Sequence, residues 1–189
     1  MEIKETFCTS DRRKWRAWLK ANHDRKKEVW LIYYRKASGR RRILYNDAVD
    51  EALCFGWIDS TVKKIDIERF AQRFTPRKRT SILSQMNKER IRKLIKEKKM
   101  TPAGLNAVSH AFVHNPDHEA PVIPKSVLNA IKKDKDAWKH FQKFPEHYKR
   151  IRIAYIVDRK YQGNEAFKRS LDRFIRMTSK NKRFGMIQK

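Results

Sequence analysis

A chain of 189 residues with 40% hydrophobic and 11% aromatic residues is long enough for one core-bearing domain with a small appendage, and too rich in aromatics for a disordered basic tail. Lys and Arg number 47 against 21 Asp and Glu, a formal charge of +26 that points to anionic partners: a small phosphorylated ligand, nucleic acid or lipid headgroups. Two cysteines without a CxxC partner, and no apolar run of signal-peptide or membrane-spanning length, argue against a disulfide scaffold, a structural zinc site and a transmembrane segment, so a cytoplasmic chain is expected.

Taken in order, Ser10 or Asp11 can cap a helix that places Trp15, Trp18 and Leu19 on one face, with Cys8 just before it read as a small buried side chain. Glu28 to Tyr34 is a run of β-formers too short for a helix; Ser38-Gly39 marks a turn, and Arg41 to Tyr45 is expected to return as a second strand. An acidic helix should run from Asn46 or Asp47 to Phe55, burying Cys54 and ending at Gly56. Trp57 to Lys64 and Ile67 to Thr75 then alternate as paired strands, turning near Lys64-Ile65-Asp66. Phe70, Gln72 and Phe74 share one face, Arg69, Ala71, Arg73 and Thr75 the other. Pro76 ends the pairing because it has no N–H for a ladder.

A basic helix follows, with Leu83, Met86, Ile91, Leu94 and Ile95 as its apolar stripe. Thr101-Pro102 caps the next helix, from which Leu105, Val108 and Phe112 should face inward. Pro116, Pro121 and Pro124 make 113–124 a linker. Beyond it come four helical stripes: Val127, Leu128 and Ile131; Trp138, Phe141 and Phe144; Tyr148, Ile151, Tyr155 and Ile156; and Phe167, Leu171, Phe174 and Ile175. Ser179 to Lys189 reads as a frayed basic tail. The expected fold class is α+β: an N-terminal domain over 1–112 with a small, mostly antiparallel sheet and helices, then a small C-terminal helical bundle over 125–189.

The densest candidate chemistry lies on the paired strands: Asp59, Ser60, Lys63, Asp66, Arg69, Gln72, Arg73, Thr75 and Arg77. Neighbouring guanidiniums bind phosphate or carboxylate through paired hydrogen bonds, and nearby Asp residues orient them. The same residues equally suit an internal network in which Asp59 and Asp66 neutralise Arg69 and Arg73. No nucleophile–base pair can be named, so catalytic residues are left unassigned. An enzyme acting on a phosphorylated substrate would need a hollow around Asp59 and Asp66.

His110, His114 and His118 recur every four residues, but Asn115-Pro116 breaks any shared helix, so they are read as exposed linker residues without a metal. With five glycines, neither a dinucleotide nor a triphosphate loop can be built, and Ser60, Ser81 and Ser84 lack a nucleophile elbow; no cofactor is expected. For nucleic acid, Pro76 to Lys99 carries ten Lys or Arg against two Glu, with Lys88, Arg90, Arg92, Lys93 and Lys96 as the helix-borne cations.

The run Glu51-Ala-Leu-Cys-Phe-Gly-Trp-Ile-Asp-Ser60, with Lys63, Asp66, Arg69-Phe70, Gln72-Arg-Phe-Thr-Pro-Arg-Lys78 and Asn87-Lys88, resembles the YdeI/OmpD-associated (OmdA-like, bacteriocin-protection) family. Trp138, Phe141, Phe144-Pro145, Arg152 and Tyr155-Ile156 resemble its C-terminal helical segment. The resemblance implies a role in resistance to bacteriocins or cationic antimicrobial peptides and brings no established reaction. A +26 chain repels cationic peptides, so protection is expected to act indirectly, through an anionic ligand, a lipid headgroup or nucleic acid.

Overall fold

The computed structural model describes residues 2–78, 80–111 and 123–185. Its chain divides into two compact units: Met1–Ile82 with Arg90–His114, and Leu83–Glu89 with Asn115–Lys189. The fold is α+β, a four-stranded sheet with helices in the first unit and, among the described residues, helices in the second.

In the first unit β1 (Thr6–Cys8), β2 (Val29–Tyr34), β3 (Trp57–Lys64) and β4 (Arg69–Pro76) lie in the order β1-β2-β4-β3. β1 runs parallel to β2; the other pairings are antiparallel. The expected strand at Arg41 to Tyr45 does not form. β2 already has β1 on one edge and β4 on the other, so no edge remains for it. Cys8, on the outermost strand, is exposed, whereas Cys54 is buried.

Helix α1 (Arg12–Asn22) starts where Asp11 Oδ1 accepts from the Arg13 N–H at 2.7 Å. Trp15 packs on Phe74, their centroids 5.3 Å apart, and donates from its indole to the Ala48 carbonyl on α2 (Tyr45–Cys54). Phe7, Trp18 and Trp57 complete this aromatic layer over one sheet face. The other face of β2 and β4 buries Trp30, Ile32 and Ala71. Coverage on both faces explains why β2 is a continuous apolar run instead of an alternating one.

The β3–β4 hairpin contains a bulge between Asp59 and Val62. Gln72, buried on the aromatic side, donates its amide to the Thr61 carbonyl at this bulge. After α2 the chain reverses through Gly56 at φ +75. Helix α3 (Gln85–Lys96) buries Ile91 and Leu94, but Ile95 is exposed. Helix α4 (Pro102–Val108) is capped by Thr101, whose hydroxyl accepts from the Gly104 N–H. Val108 is buried, Leu105 is 43% exposed, and Phe112 lies outside the described residues. Most of the 113–124 linker, with His114 and His118, also lies outside them.

The second unit holds α5 (Lys125–Lys133), α6 (Lys135–Lys143), α7 (Glu146–Asp158), a 3-10 turn (Arg159–Gln162) and α8 (Asn164–Ser179). Val127, Ile131, Phe141, Tyr148, Ile156 and Phe174 anchor its core, with Phe141 and Phe174 meeting edge to face. The expected frayed tail is ordered through its first part. Asn181 at φ 53 turns the chain, and Phe184 packs back on the core, its N–H donating to the Tyr148 hydroxyl at 3.3 Å.

Candidate functional site

The strands place the expected arginines as their alternation requires, on one face with Ala71, opposite Tyr34 and Trp30 of β2. Both have carboxylate partners. Arg69 pairs with Asp66 at 2.7 Å, and this bond holds the Asp66 carboxyl below its usual range. The Arg73 guanidinium donates to Glu28 through Nε at 2.8 Å and lowers the Glu28 pKa in the same way. Asp59 accepts from the Tyr45 hydroxyl at 2.7 Å, on the other side of the sheet from the arginines. Lys63 stands opposite Ala71 and Thr75 opposite Ile58 on the two sides of the hairpin. Gln72 is buried and Arg77 donates to the carbonyls of Ser81 and Ile82. The cluster is thus spread over two faces and a loop.

On α3, Arg90 is committed to the protein itself. It donates to Asp50 at 2.6 Å and to Asn46 at 2.5 Å, with the Asp50 side chain 6% exposed. Beside it on α2, Glu51 receives Arg12 and Arg16. Lys88, Arg92, Lys93 and Lys96 make up the remaining candidates on that helix.

A cleft lies in the helical unit. A hollow of about 670 Å³ is lined by Arg152 and Tyr155 of α7, Arg159 and Gln162 of the 3-10 turn, Arg169 and Arg173 of α8, with Met86 and Phe184 among its apolar walls. These arginines come together because α7 and α8 are joined by a short turn and expose facing ridges: Arg152, Tyr155 and Arg159 by steps of three and four, Arg169 and Arg173 by a step of four. Among the described residues the lining contains four arginines and no carboxylate.

Aromatic rings separate the like charges. The Tyr155 ring has Arg152 at 4.9 Å and Arg159 at 4.7 Å from its centroid. Phe184 has Arg152 at 4.1 Å and Arg173 at 5.0 Å. Each cation gains from the negative ring face, which partly offsets the repulsion. Arg159 is further fixed by donating to Gln162 and to the Tyr155 hydroxyl.

Arg152 is the exceptional member. It is 7% exposed, its Nε has no hydrogen-bond partner, and no carboxylate among the described residues pairs with it. Burial, with the Arg173 charge adding to it, pulls its pKa below the ordinary arginine value. A guanidinium never loses its proton in a protein, so a desolvated positive charge is held against the cleft. Among the described residues this charge has no carboxylate counter-ion, and its Nε–H is a donor without an acceptor.

The sequence reading names Arg152 only within the family resemblance and places Tyr155 in an apolar stripe, whereas Tyr155 is 41% exposed and lines the cleft. The available signal was an arginine between Ile151 and Ile153, in a segment whose three residues are all buried.

Two families account for the chain. Residues 7–107, which hold the sheet, match a domain of unknown function (DUF8412). Residues 120–181, which hold all four cleft arginines, match the family described as Bacteriocin-protection, YdeI or OmpD-Associated (OmdA). The run from Glu51 to Lys88 that first suggested the YdeI-type resemblance falls within the DUF8412 match; the YdeI-type match itself is carried by the C-terminal helices. No curated protein and no solved structure matches the chain. The DUF8412 match spans more than half of the residues, so the chain belongs to that family, and its C-terminal helices match the YdeI/OmpD-associated, bacteriocin-protection model.

Proposed function

We propose that the protein binds a small phosphate-bearing anion in the α7–α8 cleft and contributes to bacteriocin protection through that ligand. The observation that carries this reading is Arg152, a buried guanidinium without a carboxylate partner among the described residues, facing a hollow that three further arginines line. An unpaired buried charge costs stability, and a bound anion would remove that cost. Arg69 and Arg73 each have an acidic partner already, so the anion-binding expectation is better supported at the cleft than on the sheet. The +26 charge disfavours direct capture of cationic peptides and favours anions by long-range attraction. Nucleic acid would instead use Lys88, Arg92, Lys93 and Lys96, without Arg90, which is engaged with Asp50.

Thermal unfolding in rising inorganic phosphate, at constant ionic strength, tests the reading. A saturable rise in Tm is expected for wild type and for Arg69→Ala/Arg73→Ala, and none for Arg152→Met/Arg173→Gln. Equal rises in all three proteins would refute it.

A further inference from the structure

We infer that the ligand of the cleft carries at least two phosphate groups, as a diphosphate, a triphosphate or a nucleotide does; this rests on the reading that the cleft binds an anion. Charge makes the first argument. Among the described residues the lining has four arginines and no Asp or Glu. A single phosphate group carries roughly −1.5 to −2 at neutral pH and so leaves about half of that charge unmatched. In a partly desolvated hollow, unmatched like charges repel far more strongly than in water.

Placement makes the second. The arginines form two poles. Arg152 and Arg173 share the Phe184 ring at one end, and burial together with the Arg173 charge lowers the Arg152 pKa. Arg159 and Gln162 stand at the other end, in the turn between α7 and α8. The guanidinium carbons of Arg152 and Arg159 lie 4.9 and 4.7 Å from the centroid of the Tyr155 ring, which stands beside both. Arg169 lies one turn of α8 before Arg173, nearer to the connecting turn, and lines the same hollow.

The second pole is also pre-oriented. Two of the five guanidinium N–H groups of Arg159 serve Gln162 and Tyr155, which leaves donors for a ligand without releasing the side chain. Ser170 adds a hydroxyl to the lining, and a volume of about 670 Å³ lies in the range of small-ligand sites, larger than one phosphate needs. One phosphate satisfies one pole; two linked phosphates reach both.

Calorimetric titration at fixed ionic strength with orthophosphate, pyrophosphate, triphosphate and ADP tests this, using wild type, Arg159→Gln, Arg169→Gln and Arg152→Met. Pyrophosphate should bind wild type at least about tenfold more tightly than orthophosphate, the worth of one further charge-assisted contact. Arg159→Gln should weaken pyrophosphate more than orthophosphate and so reduce that advantage to about twofold or less, and Arg169→Gln should reduce it partly. Arg152→Met should weaken both ligands. ADP matching pyrophosphate would place recognition in the phosphates alone; tighter ADP would add a nucleoside contact, and either supports two phosphates. Orthophosphate binding as tightly as pyrophosphate would overturn the inference and leave single-anion binding standing. No binding of any probe would overturn both. Arg169 is exposed and Arg159 half-buried, so their variants should retain the fold, and the Tm without ligand checks this.

Discussion

The guanidinium carbon of Arg152 lies 4.1 Å from the centroid of the Phe184 ring. The ring belongs to the segment that folds back after α8, and it covers a cation that has no acidic partner among the described residues. Such an arrangement sacrifices stability for a waiting charge. Replacing Arg152 with Met, of similar length and no charge, should therefore raise the unfolding free energy without ligand by about 1 kcal/mol, since relief of desolvation outweighs the lost ring contacts. The same variant should lose the phosphate-dependent rise in Tm. A variant less stable than wild type yet fully responsive to phosphate would show that Arg152 is only structural.

The buried pair on α2 and α3 behaves in the opposite way. Arg90 and Asp50 have side chains 10% and 6% exposed and meet at 2.6 Å. Arg90→Met should cost about 3 kcal/mol, because the Asp50 carboxylate is left buried and unpaired. Asp50→Leu/Arg90→Met should regain most of that loss. Urea unfolding of the two variants measures the difference, and equal losses would contradict the assignment.

Gly104 marks the tightest backbone approach in the first unit. A Cβ there would meet the Cys54 carbonyl oxygen at 2.2 Å and its carbon at 2.7 Å. Thr101, three residues earlier, holds the same carbonyl through its hydroxyl at 2.6 Å. Gly104→Ala should destabilise by at least about 2 kcal/mol, since backbone must move to admit the methyl. Gly39, at φ +68 with nothing within 4 Å, is the control, and Gly39→Ala should cost about 1 kcal/mol. A larger loss at Gly39 would be inconsistent with this packing.

The Arg73 bond holds the Glu28 carboxyl below its ordinary value. An acid depressed in the folded state lends stability that is complete above its unfolded pKa, about 4.3, and is lost as pH falls through the folded value. With both side chains about a quarter exposed, the contribution is roughly 1 kcal/mol or less. Urea midpoints measured from pH 6 down to pH 3 should fall less steeply in Glu28→Gln than in wild type. Identical slopes would remove the pair from the acid response.

How far the sequence was legible follows from how local each feature is. The β3–β4 hairpin and its two faces were legible because Phe70, Gln72 and Phe74 alternate with Arg69, Ala71 and Arg73, and a period of two leaves no other assignment. The caps at Asp11 and Thr101 were legible for the same reason: each cap satisfies a nearby N–H. The β1 strand is three residues long and shows no period, and its parallel pairing to β2 is what displaces the strand expected at Arg41 to Tyr45.

The partners of the candidate arginines were harder to see. Glu28 and Arg73 are 45 residues apart, and Asp50 and Arg90 are 40 apart, so no spacing rule joins them. The cleft was hidden by composition. In a chain with 47 Lys and Arg, four more arginines on helices look like a solvated surface. Only the turn between α7 and α8, together with the return of Phe184, shows that they converge on one hollow.

The central claim is that the cleft arginine, and not the sheet pair, receives the anion, and side-chain NMR of arginine Nε–H groups reads it directly. On addition of pyrophosphate the Arg152 resonance, unbonded in the free protein, should move downfield and saturate while Arg69 and Arg73 stay in place. Movement of Arg69 and Arg73 with Arg152 unchanged would contradict the account.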